Sequence, residues 1–122
     1  MIVLDSSGWL EFLADGPRAD KYQTYFENLY ELITPTVVVY EVYKKVRQER
    51  NENDAAAILA YLRETSVEPL TEEIAVSAAE ISIAKALPMA DAVVYATALL
   101  KGVGVATSDK HFRGLEGVTF IS

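Results

Sequence analysis

Short apolar runs alternate with longer segments of helical period along the whole chain, and this alternation restricts the fold more than any other feature. Strand-then-helix units repeated in this way build a parallel sheet covered on both faces, because each crossover helix must pack back onto the sheet it leaves. Ile2–Leu4 is the first run and ends at Asp5; Leu32–Thr34 is the second, stopped by Pro35. Val67–Glu68 is a weak third before Pro69, Val103–Thr107 a fourth, and Val118–Ile121 the last. Between them, Ser6 or Ser7 is expected to cap a helix carrying Trp9, Leu10, Phe12 and Leu13, which Gly16–Pro17 breaks. A second helix is predicted from about Arg18 to Leu29, with Tyr22, Tyr25, Phe26 and Leu29 on one stripe. Val37–Val39 has strand propensity, but Val38, Val42 and Val46 recur every four residues, which predicts a helix over Thr36–Arg50 capped by Thr36. Asn53 is expected to cap the next helix, and Thr71 one running to about Lys85. Pro88 opens a last helix that stops at Gly102.

At 122 residues the chain has the length of one domain, expected over 1–122, and no internal repeat or linker divides it. It has no cysteine, which removes disulfides, thiolate metal sites and thiol nucleophiles. The N-terminus lacks a basic segment, and Asp5 interrupts its apolar run, so it does not read as a signal peptide. The most apolar run, Ala92–Leu100, is far shorter than the ~20 residues a bilayer requires. A cytoplasmic location is expected. The net charge of −7 argues against a non-specific nucleic-acid coat.

Four acids stand where the apolar pattern gives them no obvious packing role. In open α/β sheets, ligands bind outside the carboxyl ends of the strands. Asp5 ends the first strand and Asp109 follows the fourth; Asp91 lies in the first turn of the apolar helix feeding that strand. Glu41 interrupts Val37–Val42. Each acid also has a structural reading, as a turn or cap residue, a partner of the helix dipole or a solvated side chain. Taken together they suit a hard cation, which takes oxygen ligands and completes its shell with water. Such an ion can activate water and stabilise charge on a phosphodiester.

Seven of the 11 basic residues fall near these acids in sequence: Lys44, Lys45, Arg47 and Arg50 after Glu41, Lys85 before Asp91, and Lys110 and Arg113 after Asp109. Of these, Lys44, Lys45 and Lys110 are candidate phosphate contacts; the competing reading of Lys44–Arg50 is a solvated helix face. His111, the only histidine, reads as an exposed turn residue, so the acidic pocket is expected to contain neither His nor Cys. Without either, the pocket suits Mg²⁺ or Mn²⁺ better than zinc.

MIVLDSSGWL at Met1–Leu10, the helix of Glu41, LPMADAVVYATAL at Leu87–Leu99 and VATSDKHF at Val105–Phe112 resemble the PIN domain family, most closely the VapC-type toxins of toxin–antitoxin pairs. The resemblance spans essentially the whole chain. It implies a parallel sheet of order 3-2-1-4-5 and a Mg²⁺- or Mn²⁺-dependent ribonuclease. It also implies that Asp5, Glu41, Asp91 and Asp109 form the acidic quartet, with Asp5, Asp91 and Asp109 on the metal. Thr107 and Ser6 match hydroxyl residues that aim carboxylates, and Ser7 stands where many members carry Asn. Family members commonly work as homodimers inhibited by a small antitoxin, here expected near Trp9, Phe12, Tyr22 and Phe26. The alternatives are a receiver-like signalling domain, which shares the α/β alternation and an acidic pocket, and a catalytically silent binding module.

Overall fold

Five short strands form one parallel sheet in the computed structural model, which describes residues 1–122. β1 (Ile2–Leu4), β2 (Leu32–Pro35), β3 (Ser66–Glu68), β4 (Gly104–Thr107) and β5 (Val118–Phe120) pair in the order β3-β2-β1-β4-β5. The chain steps outward from β1 to β3, then re-enters on the other side of β1 at β4. The strand order therefore reverses between β1 and β4, where Leu4 lies opposite Ala106. A receiver domain has the order 2-1-3-4-5, so this topology overturns the receiver alternative.

Six helices flank the sheet: α1 (Ser6–Leu13), α2 (Ala19–Tyr22), α3 (Thr36–Glu49), α4 (Glu52–Arg63), α5 (Glu72–Lys85) and α6 (Met89–Lys101). α6 is buried continuously from Asp91 to Ala98, as its nearly unbroken apolar sequence requires. Its polar side chains are satisfied locally: Thr97 Oγ1 donates to the Val93 carbonyl at 2.8 Å, and the Tyr95 hydroxyl to the Glu116 carbonyl at 2.7 Å. Gly102 ends α6 at φ 67°, a left-handed conformation that glycine adopts without strain. No single helix is long and apolar enough to cross a membrane; α5 and α6 pass on composition only as a pair bent by 116°.

Several local expectations are corrected. The helix expected from about Arg18 to Leu29 is only four α-helical residues, followed by 3₁₀ turns at Gln23–Glu27 and Leu29–Glu31. Asn28 interrupts it in an extended conformation, with its side chain accepting from the Tyr30 amide. The N-cap of α1 is Asp5 rather than Ser6 or Ser7, and that of α3 is Pro35 rather than Thr36. The cap of α4 is Asn51, two residues before Asn53, its Oδ1 accepting from the Asp54 amide at 2.8 Å. Thr71 does cap α5, accepting from the Ile74 amide at 3.2 Å.

Gly8 sets how closely α1 approaches the core. A Cβ there would lie 2.5 Å from Tyr22 Cε1 and 2.9 Å from Leu4 Cδ1. Tyr22 is fully buried and its hydroxyl is tied to Ser108, so its ring has no room to swing away. Gly8→Ala is expected to destabilise the protein by about 1–3 kcal/mol through overpacking, measured by urea unfolding. An unchanged midpoint would mean that α1 can shift freely on the core.

Candidate active site

Asp5, immediately after β1, is 2% exposed, and its Oδ2 accepts from Thr107 Oγ1 at 2.9 Å and Ser7 Oγ at 3.0 Å. The two hydroxyl hydrogens are thereby used, so the 3.2 Å approach of Ser7 Oγ to Thr107 Oγ1 is a packing contact rather than a third bond. Each oxygen also accepts: Thr107 Oγ1 from the Asp109 amide at 2.9 Å, and Ser7 Oγ from the Ser108 amide at 3.0 Å. Below them Ser108 donates to the Ile121 carbonyl at 2.7 Å, which assigns the 2.6 Å contact with Tyr22 as a bond donated by the tyrosine. A hydroxyl network thus locks the carboxyl ends of β1 and β4 together and orients Asp5.

The other acids come to the same place from different elements. Asp91 opens α6 and is 8% exposed. Asp109 caps the 3₁₀ turn Lys110–Phe112, accepting from the His111 amide at 2.9 Å. Glu41 projects from α3 half-buried and lines the same groove as Ser6. Ser7, not Ser6, supplies the hydroxyl that bonds the Asp5 carboxylate.

Burial chiefly pushes all three of Asp5, Glu41 and Asp91 above the usual carboxylate range. Repulsion adds to it: from Asp109 on Asp5, from Asp5 and Asp109 on Glu41, and from Asp109 and Asp5 on Asp91. Asp91 is pushed up to about 6. Mutual repulsion of this kind is the physical sign of convergence.

His111 corrects the expectation of a pocket without histidine. Its ring is 58% exposed, as a turn residue should be, yet Nδ1 lies 2.8 Å from Asp91 Oδ2 and 3.1 Å from Asp109 Oδ1. Because Asp109 caps the turn that begins beside it, the residue two positions on folds back over the carboxylates. Asp91, Asp109 and His111 each offer one ligand atom within 4.8 Å of the others. This oxygen-rich donor set fits a divalent cation.

Two grooves are lined in part by residues of α1, and the first reaches Glu41. One, of about 350 Å³, is lined by Ser6, Tyr40, Glu41, Lys44, Lys45 and Gln48. Within it Lys44 Nζ lies 5.5 Å from the Tyr40 ring centroid, and Lys45 pairs with Glu49 at 2.7 Å. Lys110 is exposed on the 3₁₀ turn after Asp109. The second groove, of about 330 Å³, is wholly apolar and includes Trp9, Phe12, Phe26, Leu29, Ile58 and Tyr61. Tyr22, expected on such a surface, is instead fully buried.

Residues 2–118 match the PIN domain family. A toxin-antitoxin complex from Klebsiella pneumoniae contains a chain of similar fold, with a TM-score of 0.82 at 20% identity, covering 100% of this chain and 98% of that one. VapC20 of Mycobacterium tuberculosis, described as a sarcin-ricin loop cleaving toxin, gives a TM-score of 0.78 at 20% identity over 100% of both chains. FitAcB from Neisseria gonorrhoeae gives 0.74 at 22% identity, over 98% of this chain and 96% of that one. At such identities the likeness is one of fold. No curated protein matches the sequence.

Since Asp91 has a raised pKa in the fold, the protonated form is favoured there. Without metal, its ionisation therefore withdraws stability as pH rises from about 4 to above 6. In EDTA at pH 7, Asp91→Asn is expected to melt at or above the wild-type temperature, and the difference should shrink towards pH 5. Asp20→Asn, at an exposed position on α2, is the control and should change little. An Asp91→Asn protein melting several degrees lower in EDTA would make Asp91 a structural residue.

Proposed function

The chain belongs to the PIN domain family, and on that basis we propose that it is a metal-dependent endoribonuclease, the toxin of a type II toxin–antitoxin pair. The observation that carries this reading is the convergence of Asp5, Asp91 and Asp109, with Glu41 beside them, at the carboxyl ends of β1 and β4. Asp5, Asp91 and Asp109 would hold Mg²⁺ or Mn²⁺ directly or through water. The bound ion would acidify water and offset charge on the scissile phosphate.

The remaining work falls to the chain itself. Glu41 orients the attacking water and takes its proton; burial raises its pKa above the ordinary carboxylate range, which makes it a stronger base than an exposed carboxylate. Hydrogen bonds from Ser7 and Thr107 hold the Asp5 carboxylate in one orientation. Water attacks phosphorus in line, the bond to the 3′-oxygen breaks, and that oxygen is protonated from solvent. The products carry a 5′-phosphate and a 3′-hydroxyl. Lys44, Lys45 and Lys110 contact flanking phosphates, supplying locally the positive charge that a chain of net charge −7 lacks overall.

The apolar groove of Phe12, Phe26 and Tyr61 is assigned to an antitoxin helix, because a groove of this kind accepts the apolar face of an amphipathic helix. Several structures of similar fold are themselves toxin–antitoxin or VapBC complexes, which supports such a partner. The protein would act in the cytoplasm as a homodimer.

Cellular RNA incubated with the protein should be cut in Mg²⁺ or Mn²⁺ and left intact in EDTA, and Asp5→Asn should lower the rate by at least about 100-fold. Undiminished cutting in EDTA removes the metal mechanism. No cutting of any cellular RNA with either ion removes the ribonuclease reading. For the partner, Phe26→Ala should weaken binding of the antitoxin encoded beside this chain by roughly 2 kcal/mol, as loss of a buried aromatic anchor does. Unchanged affinity would take the groove out of that role.

A further inference from the structure

The metal half of the proposed function leaves open which ion the site prefers, and His111 bears on that choice. Its Nδ1 sits between two carboxylates, 2.8 Å from Asp91 Oδ2 and 3.1 Å from Asp109 Oδ1. As a hydrogen-bond donor it is poorly used there. Nδ1 carries at most one hydrogen and cannot serve both oxygens well, and Asp109 Oδ1 already accepts from the His111 amide at 2.9 Å. The spacing has a different sense for ligands of one ion. Adjacent ligands of an octahedral divalent ion with bonds of about 2.1 Å lie about 3.0 Å apart. Both contacts of Nδ1 fall at that edge length, and the third ligand atom lies within 4.8 Å. The ring is also 58% exposed, so a proton carried on Nε2 while Nδ1 coordinates can be solvated by water.

We propose that His111 Nδ1 ligates the same divalent ion as Asp91 and Asp109, making the centre a mixed nitrogen–oxygen site that favours Mn²⁺ and later first-row ions over Mg²⁺. Imidazole nitrogen strengthens binding along the Mn²⁺-to-Cu²⁺ series, whereas Mg²⁺ is best served by oxygen alone. The inference rests on the metal-binding half of the proposed function and needs nothing from its RNA half.

The chain has a single histidine, so in untagged protein any imidazole signal on a bound ion comes from His111. Pulsed EPR of the Mn²⁺-loaded protein should show ¹⁴N modulation from an imidazole, absent in His111→Ala and His111→Gln. By calorimetry, both variants should bind Mn²⁺ about tenfold more weakly or worse, with Mg²⁺ affinity changing less than about threefold. His111→Gln keeps a side chain that can hydrogen-bond Asp91. Restoration of wild-type Mn²⁺ affinity in that variant would make His111 a positioning residue and overturn the proposal. So would wild-type protein that binds no Mn²⁺, that binds it without ¹⁴N coupling, or variants that lose Mn²⁺ and Mg²⁺ affinity in equal proportion. Melting curves in EDTA check that both variants fold. Nitrogen-coupled Mn²⁺ in a protein that cuts no RNA would sustain the ligand assignment and remove the ribonuclease reading; cutting with a nitrogen-free ion would do the reverse.

Discussion

Parallel pairing of β1 with β4 is the interaction on which the site depends. It joins residues more than a hundred positions apart and brings the end of each strand to the same edge of the sheet. The Asp5 amide extends the pairing by donating to the Ala106 carbonyl at 3.1 Å, and Thr107 closes it by bonding the Asp5 carboxylate. Because the strand order reverses at this pair, no crossover covers the crevice above it, and carboxylates can collect there in reach of solvent. The chain spends local order on this junction: Ser7, Thr107, Ser108 and Tyr22 are hydrogen-bonded to one another or to Asp5 in a continuous network.

That rigidity has an electrostatic consequence. Carboxylates held by a locked backbone cannot move apart when ionised. Two unit charges 4 Å apart repel by about 4 kcal/mol at an effective dielectric near 20. Burial and repulsion together lift Asp5, Glu41 and Asp91 above their ordinary range, and the His111 ring lies against Asp91 and Asp109. A structural core gains nothing from such an arrangement, whereas a divalent cation is stabilised by it. Functional sites are where strain of this kind is retained.

The sheet and the identity of the four acids were legible in the sequence for physical reasons. Strand and helix alternation follows from apolar period. Asp5 and Asp109 are conspicuous because each follows an apolar strand, and Glu41 because it breaks an apolar run. The region after α2 was not legible, since the stripe Tyr22, Tyr25, Phe26, Leu29 has helical spacing while Asn28 takes an extended conformation that ends it. Burial of Tyr22 was hidden for a related reason: only the tertiary contact with Ser108 and the absent side chain at Gly8 draw its ring into the core. Exposure and a turn position mask the role of His111 in the sequence, and Asp109 capping that turn is the one signal that places its ring against the carboxylates.

Carboxylates from the end of β1, from α3, from α6 and from the turn after β4 share one electrostatic site. Carboxyl ¹³C NMR of Asp and Glu side chains, titrated with pH in EDTA and again in Mg²⁺, tests it most directly. Asp91 should titrate at about 6 without metal, with Asp5 and Glu41 also above their usual values, and Mg²⁺ should drive these titrations to lower pH together. Ordinary carboxylate titrations in EDTA, unmoved by Mg²⁺, would contradict it.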